Sequence, residues 1–138
     1  MALTSVGGVA VPAESTTAYG HIASESDVES HILEGDTEQA VREYFQDIPV
    51  MIQIARCEST FRHTLPDGSV LQGKVDPADT GVMQINKRYH LETAEKLGLD
   101  ITELGDNMAY ARHLYETQGT QPWSASAPCW GRTLAYAK

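Results

Sequence analysis

In Met51-Ile52-Gln53-Ile54-Ala55-Arg56-Cys57-Glu58 a glutamate falls on the apolar face of a helix. Met51, Ile54 and Ala55 set the stripe. Glu58 follows them at spacings that bring side chains to within about 60° of one another on an α-helix. A core-facing acid near a helix end must find either a partner or a use, because a buried charge is costly. About two dozen residues on, Asp79-Thr80-Gly81-Val82-Met83-Gln84-Ile85-Asn86 reads as a short glycine-hinged turn and strand. It has an aspartate at one end and two amides further along, in a segment apolar enough to be buried.

The rest of the chain reads as support. Residues 1–24 are rich in Gly, Ala, Ser and Thr without a sustained period and are expected to form a flexible or draped N-terminal segment. A domain is expected over 25–138. A short helix is expected over Glu25–Leu33, ended by Gly35. Asp36 is placed as the N-cap of a second helix, with Gln39 at the capping-box position and Val41, Tyr44 and Phe45 on its inner face. Asp47 is placed as the cap of the Glu58 helix, with Pro49 in its first turn. Thr64 to Asp79 holds Pro66, Asp67-Gly68 and Asp76-Pro77 and predicts turns with a small β-excursion. Further helices are predicted over Leu91–Leu97, stopped by Gly98, and Asn107–Gln118, stopped by Gly119. Pro122-Trp123 and Cys129-Trp130 anchor a returning tail. The predicted class is α+β, mainly α, with a small β-like insert flanking a cleft.

Charge narrows the function classes. The net charge is -9, and it is unevenly spread. Residues 1–46 hold eight acids against Arg42 alone, while 47–138 hold eleven acids against nine bases. With no basic stripe to neutralise phosphates, nucleic acid is not an expected partner. No run of 18 apolar residues is present, so no membrane-spanning helix is predicted. Met1 to Ala13 lacks a basic leading stretch and makes a poor signal peptide as it stands; it fits the remnant of a trimmed signal or anchor. His63, His90 and His113 show no metal-ligand spacing, so neither metal nor cofactor is expected. Cys57 and Cys129 read either as two buried thiols or as a disulfide, according to compartment.

An acid against apolar neighbours resists ionising and can hold a proton near neutral pH, as protonating a departing glycosidic oxygen requires. The plainer reading makes Glu58 a solvated helix-end residue paired with Arg56 or Arg62. Asp79 reads either as a second carboxylate or as a turn residue bonding backbone N–H groups ahead of Gly81. Gln84 and Asn86 need partners within the fold or on a sugar. Tyr44, Tyr89, Tyr110, Tyr115, Trp123 and Trp130 offer rings for sugar stacking or for the core. A Cys57–His63 nucleophilic pair is disfavoured, since that spacing on a helix points the two side chains apart.

These residues resemble the lysozyme-like superfamily, especially the lytic transglycosylase domain of the SLT type. The likeness rests on Glu58-Ser59 ending a helix, on Gly81-Val82-Met83-Gln84-Ile85, and on the helix containing Asn107-Met108-Ala109-Tyr110-Ala111-Arg112-His113-Leu114. It spans about residues 36–130. Asp79 to Asn86 is similar to the chicken-type lysozyme strand whose aspartate is the second catalytic carboxylate, and Lys87-Arg88-Tyr89-His90 to goose-type lysozyme. Cys57-Glu58-Ser59, with Trp123 to Cys129, resembles resuscitation-promoting factors, which implies a Cys57–Cys129 disulfide. The family's Ala-Tyr-Asn-Ala-Gly motif is missing, and Pro122-Trp123-Ser124-Ala125-Ser126 stands in its place, leaving Tyr110 or Trp123 to assist the acid.

The resemblance implies a lysozyme-like fold over 25–138 and cleavage of the β-1,4 bond between N-acetylmuramic acid and N-acetylglucosamine in peptidoglycan. Glu58 would be the general acid and base, giving 1,6-anhydro products. The alternatives are hydrolysis with Asp79 as partner and a non-catalytic peptidoglycan-binding module. Ser59, Met83, Gln84, Asn86, Tyr110 and Trp123 would contact glycan. The protein would act as a monomer outside the cytoplasm, secreted, periplasmic or attached to the envelope.

Overall fold

The computed structural model describes residues 36–137, with side chains through Arg132. The lead over 1–24 and the helix expected over Glu25–Leu33 lie outside the described residues. Among the described residues the chain is mainly helical with one small sheet. In order it forms α1 (Thr37–Tyr44), α2 (Pro49–Ser59), β1 (Asp79–Thr80), β2 (Ile85–Asn86), α3 (Lys87–Lys96) and α4 (Leu104–Gln118). A 3-10 turn (Gln121–Ser126) and α5 (Ala127–Ala137) follow.

Asp36 caps α1 as its sequence predicts, its carboxylate accepting the Gln39 N–H at 2.8 Å. Gln39 does not complete the reciprocal box; its amide donates to Glu43 instead, at 2.8 Å. Helix α2 begins at Pro49, whose missing N–H costs nothing in a first turn. Asp47 does not cap it. That carboxylate takes a two-pronged bond from the buried Arg112 of α4, at 3.0 and 2.9 Å, while the same guanidinium donates to the Tyr44 carbonyl at 2.9 Å. The Arg112 bonds hold the Asp47 carboxyl below its usual range.

The core is a single cluster that includes Val41, Phe45, Met51, Ile54, Met83 and Met108. Helix α4 contributes more residues to it than any other helix described. Along this helix Leu104, Met108, Ala109, Tyr110, Ala111 and Leu114 are all buried, together with the polar Asn107 and Arg112. It starts a turn earlier than the Asn107 expected, and α3 starts at Lys87 rather than Leu91, with Asn86 capping it through the Arg88 N–H at 3.0 Å. Only Ala94 of α3 is buried, so the helix lies on the surface and its apolar pattern is faint.

The insert between α2 and α3 is mostly irregular. Strands β1 and β2 pair antiparallel, Asp79 opposite Asn86 and Thr80 opposite Ile85. Isolated bridges join Thr64 to Val70 and Gln72 to Thr80. The insert is tied to the helices by Asn107 of α4, which is fully buried. Its amide donates to the Thr80 carbonyl at 3.0 Å and the Ile101 carbonyl at 2.8 Å, and its oxygen accepts the Met83 N–H at 3.0 Å.

Candidate active site

Glu58 stands in the last turn of α2, with Met51, Ile54 and Ala55 of its stripe fully buried beneath it. The helix then ends abruptly. Thr60 and Phe61 both adopt left-handed backbone, φ 55° and 58°, which is uncommon for a threonine and rare for an aromatic residue. Ser59 secures that end, its hydroxyl donating to the Ala55 carbonyl at 3.0 Å and accepting the Arg62 N–H at 3.2 Å. Such a turn fixes where the glutamate emerges.

The Glu58 carboxyl is half-buried and meets one hydroxyl across the fold. Ser126 Oγ donates to Glu58 Oε2 at 2.6 Å, and Trp130 Nε1 donates in turn to Ser126 Oγ at 3.0 Å. A second acceptor for the Ser126 proton, the Trp123 carbonyl, lies at 3.1 Å. This hydroxyl can therefore serve Glu58 in either protonation state, donating to the carboxylate or accepting from the acid while its own proton turns to Trp123. Burial raises the Glu58 pKa above 4.5, the Ser126 bond works against that rise, and the charge of Asp79 adds to it.

Asp79 lies across the cleft on β1. It does not bond turn N–H groups; Asn86 Nδ2 donates to its Oδ1 at 2.9 Å and to Asp76 Oδ2 at 3.0 Å. Arg88 pairs with the same Asp76 oxygen. Gln84 occupies the turn between the strands with φ 53°, its amide N–H donating to the Gly81 carbonyl at 2.9 Å. Non-glycine residues held in that region concentrate at functional sites. Gly81 must be glycine. Its φ is 76°, and a Cβ there would lie 2.6 Å from the Asn107 amide and 2.6 Å from the His63 ring. His63 is itself buried. Its Nδ1 accepts the Val82 N–H at 3.0 Å, so its Nε2 carries the hydrogen given to the Thr102 carbonyl at 2.8 Å.

Two concavities meet over Asp79 and Gln84. One, of about 370 Å³, is lined by Glu58, Arg62, Lys74 and neighbours from Leu71 to Val75. The other, of about 340 Å³, is lined by Asn86, Tyr89, His90, Leu114 and Trp123 among others. Together they make a groove with Glu58 and Asp79 in one lobe and aromatic rings in the next. A larger but shallower hollow by Pro77, Lys87 and Leu91 holds neither Glu58 nor Asp79.

The residues expected to contact ligand divide. Glu58, Asp79, Gln84 and Asn86 line the groove, although the Asn86 side chain is occupied by its two carboxylates and the α3 cap. Trp123 lines the second lobe but is almost wholly buried, its Nε1 donating to the Met83 carbonyl at 2.9 Å. Three expectations need correction because their side chains face inward. Met83 is a fully buried core residue, Ser59 is spent on its own helix end, and Tyr110 is buried with its hydroxyl 3.0 Å from His90 Nδ1. The Trp123 indole N–H goes to Met83 and the Tyr110 hydroxyl lies against His90; the hydrogen bond to the Glu58 carboxyl comes from Ser126. Among the described residues no ion pair joins Arg56 or Arg62 to that carboxyl; Arg56 Nε donates to the Gln53 side-chain oxygen at 3.1 Å and Arg62 Nε to the Ser59 carbonyl at 3.0 Å.

Cys57 and Cys129 form a disulfide, with Cα atoms 6.1 Å apart, which leaves no thiol for a Cys–His nucleophile. The bond ties α2 next to Glu58 to α5 three residues beyond Ser126. That proximity, with the place of Pro122 to Ser126 where the resemblance puts a motif assisting the acid, was the available signal for Ser126. Among the described residues no helix is long and apolar enough to cross a membrane, and no three His, Cys, Asp or Glu side chains converge as a metal would require. Comparison with protein-family models, with curated proteins and with solved structures finds no match.

Proposed function

We propose that this chain is a lysozyme-like glycosidase that cleaves the β-1,4 bond between N-acetylmuramic acid and N-acetylglucosamine in peptidoglycan, acting as a monomer outside the cytoplasm. The observation that supports it best is a half-buried carboxyl, Glu58, whose pKa burial raises, facing a second carboxylate, Asp79, across one open groove. Glu58 gives its proton to the glycosidic oxygen as the bond to the muramyl C1 breaks. In the lytic transglycosylase route suggested by the motif order, the ionised Glu58 then takes the proton of the muramyl 6-hydroxyl. That oxygen closes on C1, giving the 1,6-anhydro ring. Ser126 keeps Glu58 hydrogen-bonded in both halves of the cycle. The disulfide agrees with an oxidising compartment.

One observation favours hydrolysis as a second reading. Asp79 faces the groove with only one oxygen taken by Asn86, and a carboxylate so placed can steady the developing positive charge at C1 or activate water.

Mass spectrometry of fragments released from purified peptidoglycan tests both. Wild type is expected to release anhydro-muropeptides, and Glu58→Gln to release none while still sedimenting with the polymer. Reducing-end products would transfer the assignment to hydrolysis, with Asp79→Asn then inactive. No fragments from wild type would end the glycosidase reading and leave a binding module.

A further inference from the structure

The groove is electrically lopsided. Its Glu58 lobe is walled by Arg62 and Lys74 as well as by the two carboxylates, whereas the lobe by Tyr89 and Trp123 contains neither Lys nor Arg. Three arginines elsewhere are neutralised: Arg42 pairs with Glu38, Arg88 with Asp76 and Arg112 with Asp47. Arg62 and Lys74 are exposed and have no ion pair among the described residues, and Arg62 donates to the Ser59 carbonyl through Nε.

Two unpaired cations beside Glu58 and Asp79 have a physical use if the ligand is itself anionic. An acidic group approaching those carboxylates is repelled, and the two cations on the same wall offset that repulsion. The other lobe offers a neutral sugar the exposed ring of Tyr89, 74% accessible, beside half-buried His90. Peptidoglycan alternates the two kinds of sugar. One carries carboxylates on its 3-O substituent, through the lactyl group or the attached peptide; the other is neutral.

We infer that the Glu58 lobe recognises the carboxylate-bearing sugar through Arg62 and Lys74, and that the neutral sugar lies along Tyr89. This rests on the glycosidase reading above and adds to it the direction of the strand and the charge it must carry.

The test compares release of soluble fragments from three forms of one cell-wall preparation. These are native, with carboxylates converted to amides by carbodiimide and ammonia, and with peptides removed by an amidase. Wild type is expected to act about tenfold faster on native than on amidated wall. Lys74→Glu is expected to lose about tenfold on native wall and little on amidated wall, with Lys74→Gln between them; a charge-assisted contact is of this size. Loss extending to the peptide-stripped wall assigns the contact to the lactyl carboxylate, and loss confined to peptide-bearing wall assigns it to the peptide. Equal wild-type rates on native and amidated wall, or an undiminished Lys74→Glu variant with an unchanged melting curve, would overturn the inference alone. Absence of any Glu58-dependent release would take the glycosidase reading down with it.

Discussion

Placing Glu58 against the core raises its pKa and makes its ionised form costly to the fold. A carboxyl whose folded pKa is raised above 4.5 favours the fold fully below that pH. That contribution is lost as the pH climbs through the raised value. Glu58→Gln removes an ionising group from a partly apolar site and is expected to unfold at pH 7 no more easily than wild type. Any gain in stability should vanish below about pH 4.5. Urea unfolding at pH 7 and pH 4 reads this, and a variant much weaker at pH 7 would mean that the charge is well paired after all. Ser126 acts in the opposite sense, since its O–H favours the ionised form. In Ser126→Ala the Glu58 pKa should rise further, moving the alkaline limb of the pH–rate profile upward while turnover falls about tenfold. Ser126→Thr should restore both. A uniform loss of rate with an unmoved profile would reduce Ser126 to packing.

At the scale of elements, what was legible was whatever repeats with a helix's own period. The stripe from Met51 to Glu58 defines α2 and its inward acid because every apolar position on it is buried. Helix α3 was read short at its start because Lys87, Arg88 and Tyr89 are all exposed, so the first turn shows no stripe. Its cap, Asn86, reads in the sequence as a strand amide in need of a partner within the fold or on a sugar. Asp47 looked like a cap because nothing in its neighbourhood along the chain announces Arg112. Ser126 was missed for the same reason: a serine acquires a role only from what the fold brings opposite it. Gly81 shows how tightly insert and helix meet. Gly81→Ala would force Cβ against Asn107 and His63 at a positive φ. It is expected to lower stability by about 3 kcal/mol, seen as an earlier denaturant midpoint. A variant within experimental error of wild type would show that the junction can yield.

For the molecule as a whole, the Cys57–Cys129 bond joins the helix that holds Glu58 to the segment that holds its hydrogen-bond partner. Closing a loop with a sequence separation of 72 stabilises by about 4 kcal/mol in the chain-entropy picture. Cys129→Ser is therefore expected to unfold earlier and to lose activity through Ser126, as is wild type under reductant; full activity after complete reduction would show that packing alone holds α5. The same bond decides what a protease could do here. Val75, 98% accessible, sits on the cleft-lining loop between Glu58 and Ser126 in the chain. Cutting before Val75 would leave Glu58 on one fragment and Ser126 on the other, still joined through sulfur. The nicked form would migrate as one species in electrophoresis until reduced.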